Sequence, residues 1–257
     1  MATLAPAAPA ASNDNRFFMG SALAMAMVIV AGFSIHFAMG RSSLSVPLLV
    51  HLHGIVFMGW VVLFVTQARL ATAGPIELHR KLGWIGAGWI VLLVVMGMAI
   101  TTNVVREGSA PFFFRPQYFL IANPLTLACF TILTVAAIRL RRQTDWHKRL
   151  HICAMTALLG PGLGRLLPLP LMGPHAFDIA VVIGLIFPLA GMVRDLRHDG
   201  KVHPAWIWGT LAIVAVIPLT HLIAYSSLGD AIYAAVTSGH PGANVPGLEF
   251  APPPPMS

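Results

Sequence analysis

Eleven histidines stand in a chain of 257 residues that is 57% apolar and only 10% charged. A neutral imidazole can ligate a metal, relay a proton or accept a hydrogen bond near pH 7. In an apolar chain such groups are costly to keep, so their positions carry information. On one helix His53, Trp60 and Gln67 follow each other at intervals of seven, a spacing that keeps them on a single stripe. His51, about 200° around the axis from His53, faces elsewhere. His203 and His221 lie eighteen residues apart, five whole turns, so they share one face roughly 27 Å apart. His147 and His151 stand at i and i+4, a spacing that can hold one metal between two imidazoles.

The elements that position them must be membrane helices. A soluble domain carries roughly 25% charged residues, and a mean hydropathy of +0.78 points away from water. Seven apolar runs cover residues 17–38, 45–70, 82–102, 118–140, 150–169, 176–193 and 204–225. Each is near the ~20 residues needed to cross ~30 Å of hydrocarbon. Strict alternation is missing and the runs are too long for spanning strands. The fifth run contains Pro161, Gly162 and Gly164 and is expected to kink or break. The expected fold is an all-α integral membrane protein of about seven transmembrane helices. Residues 1–15 form an N-terminal tail, 16–225 the membrane domain and 226–257 a tail with a short helix near 230–236. The proline-rich end from Ala251 is expected to be disordered.

Orientation follows from the basic residues. With seven spans, Arg16, Arg69, Arg80, Lys81, Arg139, Arg141, Arg142, Lys148, Arg149, Arg194, Arg197 and Lys201 share one face, twelve of sixteen. Arg41, Arg106, Arg115 and Arg165 take the other. The richer face is the cytoplasmic one, which puts the N-terminus inside and the C-terminus outside, in a bacterial inner membrane. The net charge of +7 and a pI near 10.3 are therefore a topology signal, and nucleic acid is not a partner. Cys129 and Cys153 sit inside apolar runs without a CxxC or CxxCH pattern, which argues against a disulfide framework and a covalently attached haem. No basic start precedes the first run, so it is expected to be retained rather than cleaved.

This topology sorts the histidines into two layers. His36, His51, His53, His175 and His221 lie toward the outer face, with His240 in the tail. His79, His147, His151, His198 and His203 lie toward the inner one. Those nearest the interfaces can simply hydrate. An ion pair between Arg165 and Asp178 would let both charges sit near lipid. Asp145, Arg149, Arg194 and Asp195 read as ordinary interfacial charge.

Two stretches carry a resemblance. The first is His53-Gly54, Trp60, Gln67 and Leu78-His79-Arg80-Lys81-Leu82-Gly83. The second is Asp145-Trp146-His147-Lys148-Arg149-Leu150 with Leu159-Gly160-Pro161 and Arg165. With Gly200-Lys201-Val202-His203-Pro204 they resemble a family of uncharacterised bacterial multi-pass membrane proteins, from His51 to Gly209. The stretch from His53 to Gly97 is similar, more distantly, to two-haem transmembrane cytochromes b. That resemblance implies one bis-histidine haem b in each leaflet, with His53 and His221 as outer ligands and His79 and His151 as inner ones. His79, at a helix start, departs from the family pattern.

Three functions follow as expectations. The first is a redox protein that binds haem b or another transition metal through these imidazoles, with the lipid bilayer and a membrane redox complex or quinone as partners. The second is an oxygenase-type metal centre at the inner face built from His79, His147 and His151, with His203 nearby. An HxxxH spacing occurs only once in the chain, where such enzymes carry several. The third is not an enzyme at all: a small-solute transporter or an accessory subunit of a membrane complex, with Pro124, Pro161, Pro188 and Pro218 shaping a cavity.

Overall fold

The computed structural model describes residues 10–251. Residues 1–9 and 252–257, and with them much of the expected N-terminal tail and the proline-rich end expected to be disordered, lie outside the described residues. The described chain is all helical. Ten α-helices follow in order: α1 (Ala10–Ala38), α2 (Leu48–Ala73), α3 (Ile76–Arg106), α4 (Pro116–Arg139), α5 (Thr144–Ala157), α6 (Gly160–Leu166), α7 (Ala176–Gly184), α8 (Ile186–Asp199), α9 (Pro204–Ala224) and α10 (Ser227–Thr237). Short 3-10 turns cover Leu169–His175 and Pro241–Asn244. In lipid every backbone polar group must be met within the protein, and a helix does this by itself.

Proline and glycine set the boundaries. Pro47 and Pro75 precede α2 and α3, and Pro116 and Pro204 open α4 and α9, where a missing N–H costs nothing. Gly200 closes α8 with a positive φ of 70°. Both breaks inside apolar runs have the same cause. A proline at i offers no N–H to the carbonyl at i−4. Pro161 deprives Ala157, where α5 ends, and Pro188 deprives Gly184, where α7 ends. Pro124 and Pro218 have the same defect, yet α4 and α9 run on through them.

Six helical segments are long and apolar enough to cross a membrane: Asp14–Ala38, Leu48–Ala73, Ile76–Arg106, Pro116–Arg139, Leu171–Asp199 and Pro204–Ala224. The fifth apolar run is missing from this set because its break leaves two short pieces, α5 and α6. Side-chain contacts show where those pieces lie. At one end of the bundle Asp14 of α1 meets Lys148 of α5 and Arg194 of α8. At the other, the Arg165 guanidinium of α6 sits 3.9 Å from the Phe33 ring, near the end of α1. The α5–α6 pair therefore runs the length of α1.

Packing closes the bundle around α4 and α5. The helices α1, α2, α3 and α4 pack in sequence, and α5 and α6 return to α1. On the other side α9 fits against α4, α5, α7 and α8. Close approach depends on small residues. A Cβ on Gly32 would strike the backbone of Gly162, and one on Gly209 would strike the Cys153 side chain, so α1 meets α6 at backbone distance and α9 seats directly on the Cys153 side chain of α5. Phe130, Met155, Leu159 and Trp206 fill the core between them. Large apolar side chains such as Val62, Trp84, Leu92, Ile132 and Leu222 point outward, as a lipid-facing surface requires.

The expected short helix near 230–236 is α10, which caps the Arg165 end. The Tyr233 hydroxyl donates to the Val245 carbonyl at 2.9 Å, and the Gln117 N–H to the Gly247 carbonyl at 2.8 Å. Arg106 Nε reaches the Val236 carbonyl at 3.0 Å. These bonds tie residues 226–251 across the ends of α3, α4 and α9.

Candidate functional site

Three histidines meet at the Asp14 end. His79 comes from the first turn of α3, and His147 and His151 from the first two turns of α5. The His79 and His147 rings lie 6.2 Å apart, nearly perpendicular, and the His147 and His151 rings 4.6 Å apart in the same manner. His147 stands between the other two. Its Nδ1 lies 2.8 Å from the Ala137 carbonyl at the end of α4, which places the ring hydrogen on Nδ1 and leaves Nε2 with a free lone pair. The His79 Nδ1 is buried and has no partner.

The start of α5 is polar, and two sets of contacts hold it. One is the histidine cluster, which faces α3 and α4. The other lies on the opposite side of α5, where Arg149 faces α8 and α9. Arg149 is 3% exposed, and Asp195 on α8 is fully buried. Two parallel bonds of 2.9 Å join them. Asp195 also accepts from Trp206 Nε1 at 3.0 Å, from Arg194 at 3.2 Å and from the His203 N–H at 3.3 Å. Asp145 accepts from Arg149 at 3.0 Å and pairs with Lys148 at 2.8 Å. Arg149 and Asp195 are thus a buried structural pair, not interfacial charge. A bidentate, multiply bonded pair is the one form in which such burial is tolerable. Next to it His203 caps α9, its Nδ1 accepting the Ala205 N–H at 3.2 Å. Partial burial, then the nearby Arg149 guanidinium, lower the His203 pKa, which suits an acceptor that must stay neutral.

The α2 stripe is present as expected. His53 packs on Phe57 with centroids 4.3 Å apart, and Trp60 meets Phe130 of α4 edge-on at 5.2 Å. Gln67 lies opposite Gly83, one turn after His79. His53 Nδ1, Trp60 Nε1 and Gln67 Oε1 are each buried without a hydrogen-bond partner.

His221 does not join His53. The helix α2 packs on α1 and α3, whereas α9 packs on α4, α5, α7, α8 and α10. His221 instead forms part of a second polar group, at the Arg165 end. Its Nε2 lies 3.1 Å from Asp178 Oδ2 on α7. The Tyr118 hydroxyl of α4 donates to Asp178 Oδ1 at 3.0 Å, and His175 Nδ1 stands 3.7 Å from Oδ2. The His221 ring is wedged between Tyr118 and Tyr225, at 5.2 and 5.6 Å. Arg115 donates to the Tyr225 hydroxyl at 2.7 Å beside a small cavity walled by Phe113, Phe114 and Phe250. The anticipated ion pair between Arg165 and Asp178 is absent. Arg165 donates to the Pro161 carbonyl at 2.8 Å and stacks on Phe33, while Asp178 turns toward α4 and α9. Of this group the sequence pointed to His175, His221 and Asp178 separately. The i, i+3 pair His175 and Asp178 and the i, i+4 pair His221 and Tyr225 are its local signs.

Among the described residues, no group of three or more His, Cys, Asp or Glu side chains is already disposed to hold a metal ion. Comparison with known proteins finds no family model, no curated protein and no solved structure that matches the chain.

Proposed function

We propose that this is a seven-crossing inner-membrane protein, basic face and N-terminus toward the cytoplasm, that holds a histidine-ligated haem b and serves in electron transfer. The seventh crossing is α5–α6, which runs the length of α1. The single observation that carries the functional reading is the pair His79 and His147. Two imidazoles that would hold one metal ion through bonds of about 2.0–2.1 Å need their ring centres within roughly 6 Å of each other. Their observed separation is 6.2 Å. His147 is oriented as metal-binding histidines usually are, with the second nitrogen tied to a carbonyl. A haem needs only two protein ligands, which such a pair supplies. A bare metal needs more. Bound there, a haem would supply one-electron exchange. The chain's own residues would ligate through His79 and His147, with His151 behind them and the Arg149–Asp195 pair fixing the start of α5.

Detergent-purified protein should show a Soret band and one iron per chain, and His79→Ala or His147→Ala should abolish both while His221→Ala preserves them. A preparation with neither Soret band nor stoichiometric metal ends the proposal. A second reading, a small-solute carrier, draws on the unpartnered His53, Trp60 and Gln67 atoms inside the bundle. Uptake by proteoliposomes, lost in Gln67→Leu, is its test.

A further inference from the structure

Asp178 differs from the other carboxylates that meet two or more side chains. Asp14, Asp145 and Asp195 each lie against an arginine or lysine. Among the described residues Asp178 has no such partner, and its polar neighbours are the imidazoles of His175 and His221 and the phenol of Tyr118. A carboxylate whose side chain is only 19% exposed at the edge of an apolar bundle calls for positive charge.

We propose that His175, Asp178 and His221 form a site for a divalent transition-metal cation of the zinc type at the Arg165 end of the bundle. Zinc bound at about 2.0–2.1 Å in a tetrahedron keeps neighbouring donor atoms roughly 3.3–3.4 Å apart. Asp178 Oδ2 lies 3.1 Å from His221 Nε2 and 3.7 Å from His175 Nδ1, on either side of that value. Two of the three donors are held in place. The second oxygen of Asp178 takes the Tyr118 hydroxyl, as a metal-bound carboxylate commonly does, and Tyr118 and Tyr225 fix the His221 ring. The third donor closes the set. His175 directly precedes α7, its side chain is 68% exposed, and it follows Gly173, whose φ is +56°. Cation binding requires this exposed imidazole to swing toward the His221–Asp178 pair, since the three donors do not converge without it. The fourth position is left to water. The site is independent of the haem reading, which uses other histidines at the opposite end.

The test is titration of chelator-treated, detergent-purified protein with Co2+, followed by displacement with Zn2+. The wild type should take up one equivalent of Co2+ with the visible d–d bands of a four- or five-coordinate centre, and Zn2+ should bleach them. His175→Ala, at an exposed position, should fold with an unchanged melting temperature in the absence of metal and lose that equivalent. Tyr118→Phe should retain it with affinity weakened roughly 10–100-fold. His147→Ala should leave the bands intact, which separates this site from the haem ligands. The proposal is overturned if the wild type takes up no Co2+, or if His175→Ala binds Co2+ with wild-type affinity and spectrum.

Discussion

Replacing Asp195 by alanine tests the architecture on which the histidine cluster rests. Asp195 is fully buried and accepts five hydrogen bonds: two from Arg149, one from Arg194, one from Trp206 and one from the His203 backbone. Alanine removes them all and leaves the nearly buried Arg149 facing a hole. Its remaining partners are Asp145 at 3.0 Å and Asp199 at 3.9 Å, both on the exposed side. Breaking a buried pair by removing one member costs about 3–5 kcal/mol, because the other charge stays buried without compensation. The Trp206 indole N–H, also stranded, adds about 1 kcal/mol. Unfolding in detergent, followed by tryptophan fluorescence, should therefore show a loss of about 4–6 kcal/mol. Removing both charges together, in Asp195→Leu with Arg149→Met, should cost much less than the sum of the single changes, since an apolar pair of similar volume can replace a buried ion pair. A loss below about 1 kcal/mol in Asp195→Ala would refute the reasoning, as it lies outside the range for an uncompensated buried charge.

Two further outcomes follow from contacts at the same end. The His203 pKa is lowered in the folded protein, so below about 6.5 the unfolded chain binds the extra proton first and stability falls with falling pH. Melting temperatures should drop between pH 7 and 5.5 more steeply in the wild type than in His203→Asn, whose amide caps α9 at any pH. Gly191→Ala should destabilise by about 1–3 kcal/mol, because its Cβ enters the space of the fully buried Trp206 ring. Adding Trp206→Leu to that variant should recover part of the loss, as measured by thermal unfolding.

Helix positions were legible because lipid imposes one rule on the whole chain, and a run of apolar residues satisfies it only as a helix. The break at Pro161 was equally legible, since the missing N–H acts on a carbonyl four residues away. The i, i+4 contact of His147 with His151 came from the same local geometry. Contacts between distant helices did not. Nothing local distinguishes Asp195, buried under Trp206, from Asp199 one turn later, whose side chain is 51% exposed. The pairing of His221 with Asp178 rather than His53 depends on which helices become neighbours, and periodicity within one helix carries no trace of that. Charge balance likewise suggested Arg165 for Asp178, but α6 faces α1 and turns the guanidinium onto Phe33.

The break between α5 and α6 has a consequence for biogenesis. The helix α5 opens with Asp145, His147, Lys148, Arg149 and His151 within two turns and has little tendency to partition into lipid alone. Its polar side chains find partners on α1, α4 and α8, and the last of these is synthesised after it. Arg149 therefore lacks its buried carboxylate until Asp195 on α8 is made, and Cys153 its close neighbour until Gly209 on α9 arrives. Truncation before residue 186, which removes α8, should leave Arg149 without its buried partner, so the stable seating of α5 depends on helices made after it.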